Sequence, residues 1–421
     1  MPSRLLHSLL YIFLLAAPIA AQQYSFDTDE PAIVSRSAVV LDAVTGTVVY
    51  AKNPNEVIQP ASLTKLMTMH IVFGEIARGK ASLDEIISPP RESWAVNQPP
   101  RSSLLLLANG QQLSIRELLL GLAIHSGNDA AVALALRFAP SVQAFADMMN
   151  HEAQQLGLVQ THFVEPSGVS PFNMTTAQEF AYFCRTYLQL WQYSLGDYHS
   201  VRDFSYPNAW NVPEQYRGNP RTRTQRNRNA LLDRVPGVDG LKTGYIDDSG
   251  YNIALTAERG GTRFIAVILG APSGLGGDKI RDEDGRQLLE WAFSRYATIR
   301  PLMPELEPFR VWKGKENYVS ITAGEPLEFT AALGRGALLS WRVETPTVLS
   351  APLPEGSPAG ILVFYDSSGD LKRVPLLTSH AVERGGFFKR LFDSIRLFFL
   401  GGRATVSSTF APPGSPRDQS L

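Results

Sequence analysis

Three short stretches of this 421-residue chain carry side chains that could make and break an acyl bond: Ser62-Leu63-Thr64-Lys65, Ser126-Gly127-Asn128 and Lys242-Thr243-Gly244. A serine hydroxyl is a weak nucleophile until a base takes its proton. Residues i and i+3 share a helix face, so Lys65 can touch Ser62. Lysine acts as that base only when desolvation or a like charge pulls its pKa down. Residues 62–78 are apolar on nearly every side, which predicts a buried helix and a poorly hydrated Lys65; Lys242 is expected to be the second positive charge. Each stretch alone is a weak signal. Together, in this order, they are hard to obtain by accident.

The elements around them are readable. Pro60-Ala61-Ser62 predicts a helix start. Ser126-Gly127-Asn128 falls between an apolar run (118–124) and a helix-like run (129–138), as a loop where Ser126 could relay a proton and Asn128 could bond a substrate amide. Taken alone, both read first as helix caps. Lys242-Thr243-Gly244 lies between 238–241 and 251–256, which predicts an edge strand in a hairpin. The backbone of Thr243, Gly244 and Tyr245 on such a strand can bind an extended peptide. The Tyr245 N–H and the N–H at the start of the Ser62 helix can form an oxyanion hole.

The ordered trio is a known signature of penicillin-binding proteins and class A β-lactamases. Beyond it, Pro60-Ala61-Ser62-Leu63-Thr64-Lys65-Leu66-Met67-Thr68, His125-Ser126-Gly127-Asn128-Asp129-Ala130, Asn227-Arg228-Asn229 and Asp239-Gly240-Leu241-Lys242-Thr243-Gly244 through Asn252 resemble the low-molecular-mass penicillin-binding proteins of the D-alanyl-D-alanine carboxypeptidase type. The likeness spans roughly residues 33–400. It implies a serine acyl-enzyme on the terminal D-Ala-D-Ala of peptidoglycan stem peptides, inhibition by β-lactams, no cofactor, and Arg228 helping to place the peptide carboxylate. Two positions depart from that pattern. Tyr245 stands where many relatives have His, and Gly270-Ala271-Pro272 where many have an Arg-containing turn. Two other readings are a β-lactamase and a catalytically silent wall-binding protein. Against the first stand Ser-Gly-Asn in place of Ser-Asp-Asn and Val169, not Asn, four residues after Glu165. Against the second, Ser62, Lys65 and Lys242 are all present.

The fold class expected is α+β: an antiparallel sheet with a helical insert (residues 61–192) broken at Pro89-Pro90, Pro99-Pro100, Pro140 and Pro166, strands from both ends of the domain, and a closing helix from about 282 to 296. Residues 307–378 read as short β-like runs, a small all-β sandwich. The division is thus a signal peptide at 1–21, a peptidase domain at 33–298, a β-sandwich at 305–383, an amphipathic helix at 385–402 and a disordered tail at 403–421. A signal places the enzyme in the periplasm. The lone Cys184 cannot form an internal disulfide and reads as a buried thiol. A formal net charge of −1 gives no nucleic-acid footprint, and the histidines show no metal-ligand spacing.

Two stretches remain. Arg217, Arg221, Arg223, Arg226 and Arg228 crowd residues 213–231, read as a solvated loop apart from Arg228. Within 387–400, Phe387, Phe388, Leu391, Phe392, Ile395, Phe398 and Phe399 recur at helical spacing with Lys389, Arg390, Asp393 and Arg396 on other faces. This is the pattern of a helix lying on the outer surface of the cytoplasmic membrane, too short to span it; packing against the β-domain is the alternative.

Overall fold

The computed structural model describes residues 30–335, 339–345 and 348–399. The expected signal peptide and the 403–421 tail lie outside them. The chain divides into two compact units, Met1–Ala292 and Phe293–Leu421.

The first unit is built on a five-stranded antiparallel sheet. Its order is Val48–Lys52, Ser37–Asp42, Thr262–Ala271, Gly250–Arg259, Val238–Ile246. The two N-terminal strands join as a hairpin across Thr45-Gly46, where Gly46 takes φ +75°, a conformation that costs glycine little. Strands from the two ends of the unit pair at Ser37–Asp42 and Thr262–Ala271, so the sheet closes only when residues more than two hundred apart meet. Val39, Leu41, Ile265, Val267 and Leu269 present one face of it to a core completed by the helices Thr64–Ala77, Asn128–Phe138 and Ala177–Trp191. Helix Thr64–Ala77 is buried almost throughout, Lys65 included.

The helical insert is interrupted where the prolines stand: between Ala77 and Ile115 the chain forms only single 3₁₀ turns and the two-residue strands Ile86–Ile87 and Leu113–Ser114, because Pro89, Pro90, Pro99 and Pro100 lack the N–H a helix needs. Two expectations need correction. The arginine-rich segment is not all loop, since Arg223–Arg226 is a strand paired with Asp203–Tyr206. The closing helix begins at Gly277, not near 282. Its glycine is required there, as a Cβ on Gly277 would sit 1.9 Å from the Pro272 carbonyl oxygen.

The second unit is all-β up to residue 384, with a four-stranded antiparallel sheet (Ile321–Ala323, Gly369–Thr378, Pro358–Asp366, Ser340–Glu344) as its largest part. Helix Phe387–Phe399 follows. Gly385 N donates to Lys313 O, and the buried Asp393 carboxylate accepts from Lys313 N and from Lys389 Nζ, each at 2.7 Å. The helix therefore attaches by its polar edge. Its apolar stripe is open: all seven residues are exposed, from Ile395 at 44% to Phe398 and Phe399 at 81%. No helix among the described residues is long and apolar enough to cross a membrane.

Candidate active site

Ser62 sits in a 3₁₀ turn, Ala61–Leu63, that runs into helix Thr64–Ala77. The residue before it, Ala61, takes φ +51°, a left-handed backbone that costs a non-glycine residue on the order of 1–3 kcal/mol unless its surroundings impose it. One turn on, Lys65 Nζ lies 3.0 Å from Ser62 Oγ and donates to Asn128 Oδ1 at 2.7 Å and to the Ser167 carbonyl oxygen. Burial pulls the Lys65 pKa down to about 7, with Arg228 adding to the effect and the carboxylates of Glu165 and Asp129 opposing it.

What fixes this geometry comes from far along the chain. Residues 164–168 press against the helix, with Thr68 Oγ1 donating to Pro166 O and buried Asn173 bridging Thr64 Oγ1 and Glu165. The Glu165 carboxylate is fully occupied in shaping that loop. It accepts from Ser167 N and Oγ, Gly168 N, Ser170 N and Asn173 Nδ2. A carboxylate so bonded has no face left to activate water, which removes the feature a β-lactamase would use. Gly168 has φ +82°, and a Cβ there would lie 1.8 Å from Ala61 O. We expect Gly168→Ala to destabilise the fold by at least about 1–3 kcal/mol and to slow acylation, because the loop must withdraw and take the Ser167 carbonyl from Lys65. Urea melts beside β-lactam labelling rates check both; a wild-type midpoint would contradict the packing.

Asp129 does the same on the opposite side. Its buried carboxylate accepts from the N–H groups of Leu105, Leu106 and Leu107 at 2.7–3.0 Å. This anchors the segment whose Ser102 Oγ accepts from Asn128 Nδ2 at 3.2 Å. Asn128 thus has its carbonyl oxygen on Lys65 and one N–H on Ser102, with a second N–H left for a substrate amide. Ser126 is buried at φ +59° between the turn Gly121–His125 and the helix Asn128–Phe138.

Lys242, Thr243, Gly244 and Tyr245 lie within the edge strand Val238–Ile246, whose outer side has no strand partner among the described residues. This strand runs directly over the nucleophile turn, since a Cβ on Gly244 would sit 2.9 Å from Pro60 O and 3.0 Å from Ser62 N. Asn252 ties the two together, donating to Gln59 O at 3.0 Å and accepting from Gly270 N at 2.8 Å. Lys242 Nζ donates to Thr243 O at 2.9 Å. Burial holds the Lys242 pKa well below the usual lysine range, helped by the charges of Lys65, Arg228 and Arg281. Arg228 lowers the pKa of both lysines, and the Lys65 charge adds to the effect on Lys242. Arg228 is exposed and forms no ion pair among the described residues.

The two departing positions have their own fillings. Tyr245 is 40% exposed, its ring packs on Tyr251 with centroids 4.3 Å apart, and its hydroxyl donates to Asp247 Oδ1 at 2.6 Å. Arg281 lies behind that pair, 5.8 Å from the Tyr251 ring and bonded to Asp282. The Arg281 charge on this helix reaches Lys242, adding to the lowering of its pKa. Cys184 is buried, and burial pushes its thiol pKa up, as fits an inert packing residue.

A serine hydroxyl within reach of a buried lysine whose pKa is pulled down, beside an open strand edge, is the arrangement of a serine peptidase. The D-alanyl-D-alanine carboxypeptidase family model matches residues 24–273, and the model of the penicillin-binding protein 5 C-terminal domain matches 305–384. The chain is 31% identical over 400 residues to D-alanyl-D-alanine carboxypeptidase DacC of Escherichia coli, covering 92% of this chain and 94% of that one. It is 34% identical over 397 residues to DacD of the same organism, covering 91% and 96%. Penicillin-binding protein 5 from Haemophilus influenzae superposes with a TM-score of 0.76 at 30% identity, covering 85% of this chain and all of that one. The chain belongs to the D-alanyl-D-alanine carboxypeptidase family of low-molecular-mass penicillin-binding proteins. Its activity is that of a serine-type carboxypeptidase acting on D-Ala-D-Ala ends.

Proposed function

We propose that Ser62 is the nucleophile and Lys65 its base, and that the enzyme removes the terminal D-alanine of peptidoglycan stem peptides through an ester on Ser62. One observation carries the assignment. Lys65 Nζ has three neighbours, and two of them, Asn128 Oδ1 and Ser167 O, are carbonyl oxygens that can only accept. A neutral amine spends its two N–H bonds on those carbonyls, so its lone pair faces the one neighbour that can donate, the Ser62 hydroxyl. As the proton passes to Lys65, Ser62 Oγ bonds to the carbonyl carbon of the penultimate D-alanine. The oxyanion is held by the N–H groups of Ser62 and Tyr245. Its collapse expels D-alanine, whose nitrogen takes a proton through Lys65 and Ser126, and water then hydrolyses the ester. Thr243, Gly244 and Tyr245 hold the peptide as an added strand, and Lys242 with Arg228 receives its terminal carboxylate.

A β-lactam presents a ring amide that mimics the D-Ala-D-Ala bond. The cefotaxime-bound penicillin-binding protein D2 of Listeria monocytogenes superposes with a TM-score of 0.54 at 27% identity, which supports inhibition by the same acylation. Incubation with a penicillin should add one acyl group to the wild type, mapped to Ser62, and none to Ser62→Ala. Label retained by the alanine variant would defeat the assignment.

We further propose that the enzyme works in the periplasm, held to the outer face of the cytoplasmic membrane by helix Phe387–Phe399. The support is the open apolar stripe on a helix already moored by its polar edge. The peptidase and β-domains assigned to 33–298 and 305–383 precede this anchor.

A further inference from the structure

Residues 207–228 carry five arginines and a single carboxylate, Glu214, in a chain whose formal net charge is −1. Arg226 is committed to Asp233, which Arg202 shares. Arg217, Arg221 and Arg223 are exposed and form no ion pair among the described residues. Two large aromatics stand beside them in the same segment, Trp210 at 43% exposed and Tyr216 at 57%. Unpaired like charges repel one another, and exposed aromatic clusters mark contact surfaces more than isolated apolar residues do. The segment is also joined to the site. Gln225 Nε2 donates to Leu104 O at 3.3 Å, within the stretch that Asp129 fixes and that carries Ser102 to Asn128. Arg228 continues the same chain two residues beyond the strand.

We infer that this segment is a docking surface for polymeric peptidoglycan, outside the acylation centre. The polymer repeats carboxylates along its stem peptides and offers apolar sugar faces between them. Carboxylates of stems neighbouring the one being cut pair with Arg217, Arg221 and Arg223, and sugar rings stack on Trp210 and Tyr216. The inference rests on the carboxypeptidase reading and adds a reason for the enzyme to favour wall over free peptide.

The test uses the full chain, acylated beforehand with penicillin so that the Ser62 site is closed, pelleted with lipid-free sacculi over a range of salt. The triple variant Arg217→Gln, Arg221→Gln, Arg223→Gln should be retained about tenfold less at low salt, the sum of three exposed pairs, with a flatter salt dependence. Its β-lactam acylation and its hydrolysis of a soluble D-Ala-D-Ala peptide should match the wild type. Trp210→Ala with Tyr216→Ala should weaken retention without changing the salt slope. Equal retention of wild type and triple variant would overturn the inference. So would loss of acylation in the triple variant, which would make the segment a support of the site, or loss confined to anionic vesicles with sacculus retention intact, which would assign it to a lipid surface. Failure of the carboxypeptidase reading itself would show separately, as wild-type protein that cleaves no D-Ala-D-Ala peptide.

Discussion

Replacing Lys65 by Arg should slow acylation of Ser62 by roughly 10²–10⁴, the usual worth of a general base, while the protein still folds. Guanidinium keeps the positive charge and can still donate to Asn128 Oδ1 and Ser167 O. What it lacks is a lone pair, because it does not lose its proton near neutral pH. The pH dependence separates this from a packing defect. In the wild type the Lys65 pKa is lowered to about 7, chiefly by burial. The neutral amine is the working form, so its fraction grows as pH rises and falls as pH drops. Acylation should therefore climb through about pH 7 and level off above it, then lose that step in Lys65→Arg. Stopped-flow labelling with a chromogenic cephalosporin across pH 5–9 reads both. A wild-type rate in the variant, or an unchanged step, would mean that another group or water takes the proton.

The same base explains which parts of the site were visible beforehand. Ser62 and Lys65 are three residues apart on one helix, so their contact follows from helical geometry alone. The apolar run from Leu63 to Ile76 made burial of Lys65 readable too. Its other two partners, 63 and 102 residues away, obey no local rule. Asn128 was singled out for a substrate amide because its type and place suit one, and nothing nearby revealed that its oxygen would be taken by Lys65. Glu165, Gly168 and Asn173 form the loop that delivers Ser167 O, yet each is an ordinary loop residue until the Ala61 carbonyl is placed beneath it.

Edge and interior followed the same division. The runs 238–241 and 251–256 on either side of Lys242-Thr243-Gly244 made the hairpin Val238–Ile246 with Gly250–Arg259 legible, edge strand included. The strand Arg223–Arg226 was hidden because Arg-Thr-Gln-Arg has no apolar alternation. It pairs instead through the Ser205–Thr224 hydroxyl contact at 2.6 Å and the backbone of Asp203–Tyr206. Arg281 was unreadable as a neighbour of Lys242 for a related reason. Its helix starts at Gly277, a residue that argues against helix by propensity, and the close approach of the Pro272 carbonyl is what requires it.

A chain ending at Glu383 should leave the membrane fraction almost completely and keep its β-lactam labelling, whereas the full chain should stay with membranes. The seven stripe residues are open to solvent at 44–81%. Full burial of such side chains is worth roughly 1.5–3 kcal/mol each, so even partial burial of seven exceeds the cost of holding a helix that Asp393 already moors. Salt should weaken attachment only modestly. Lys389 is paired with Asp393 and Arg390 is half-buried, which leaves Arg396 as the exposed cation of the helix for anionic headgroups. Charge reversal by Arg396→Glu should thus cost less binding than Phe392→Ser with Phe399→Ser, which removes two large faces of the stripe. Cell fractionation of the four forms, with labelling as the folding control, reads the order directly. If the shortened chain pelleted as fully as the intact one, the stripe would not be the anchor. If Arg396→Glu released more enzyme than the double serine variant, attachment would be electrostatic, and the apolar stripe would need another partner.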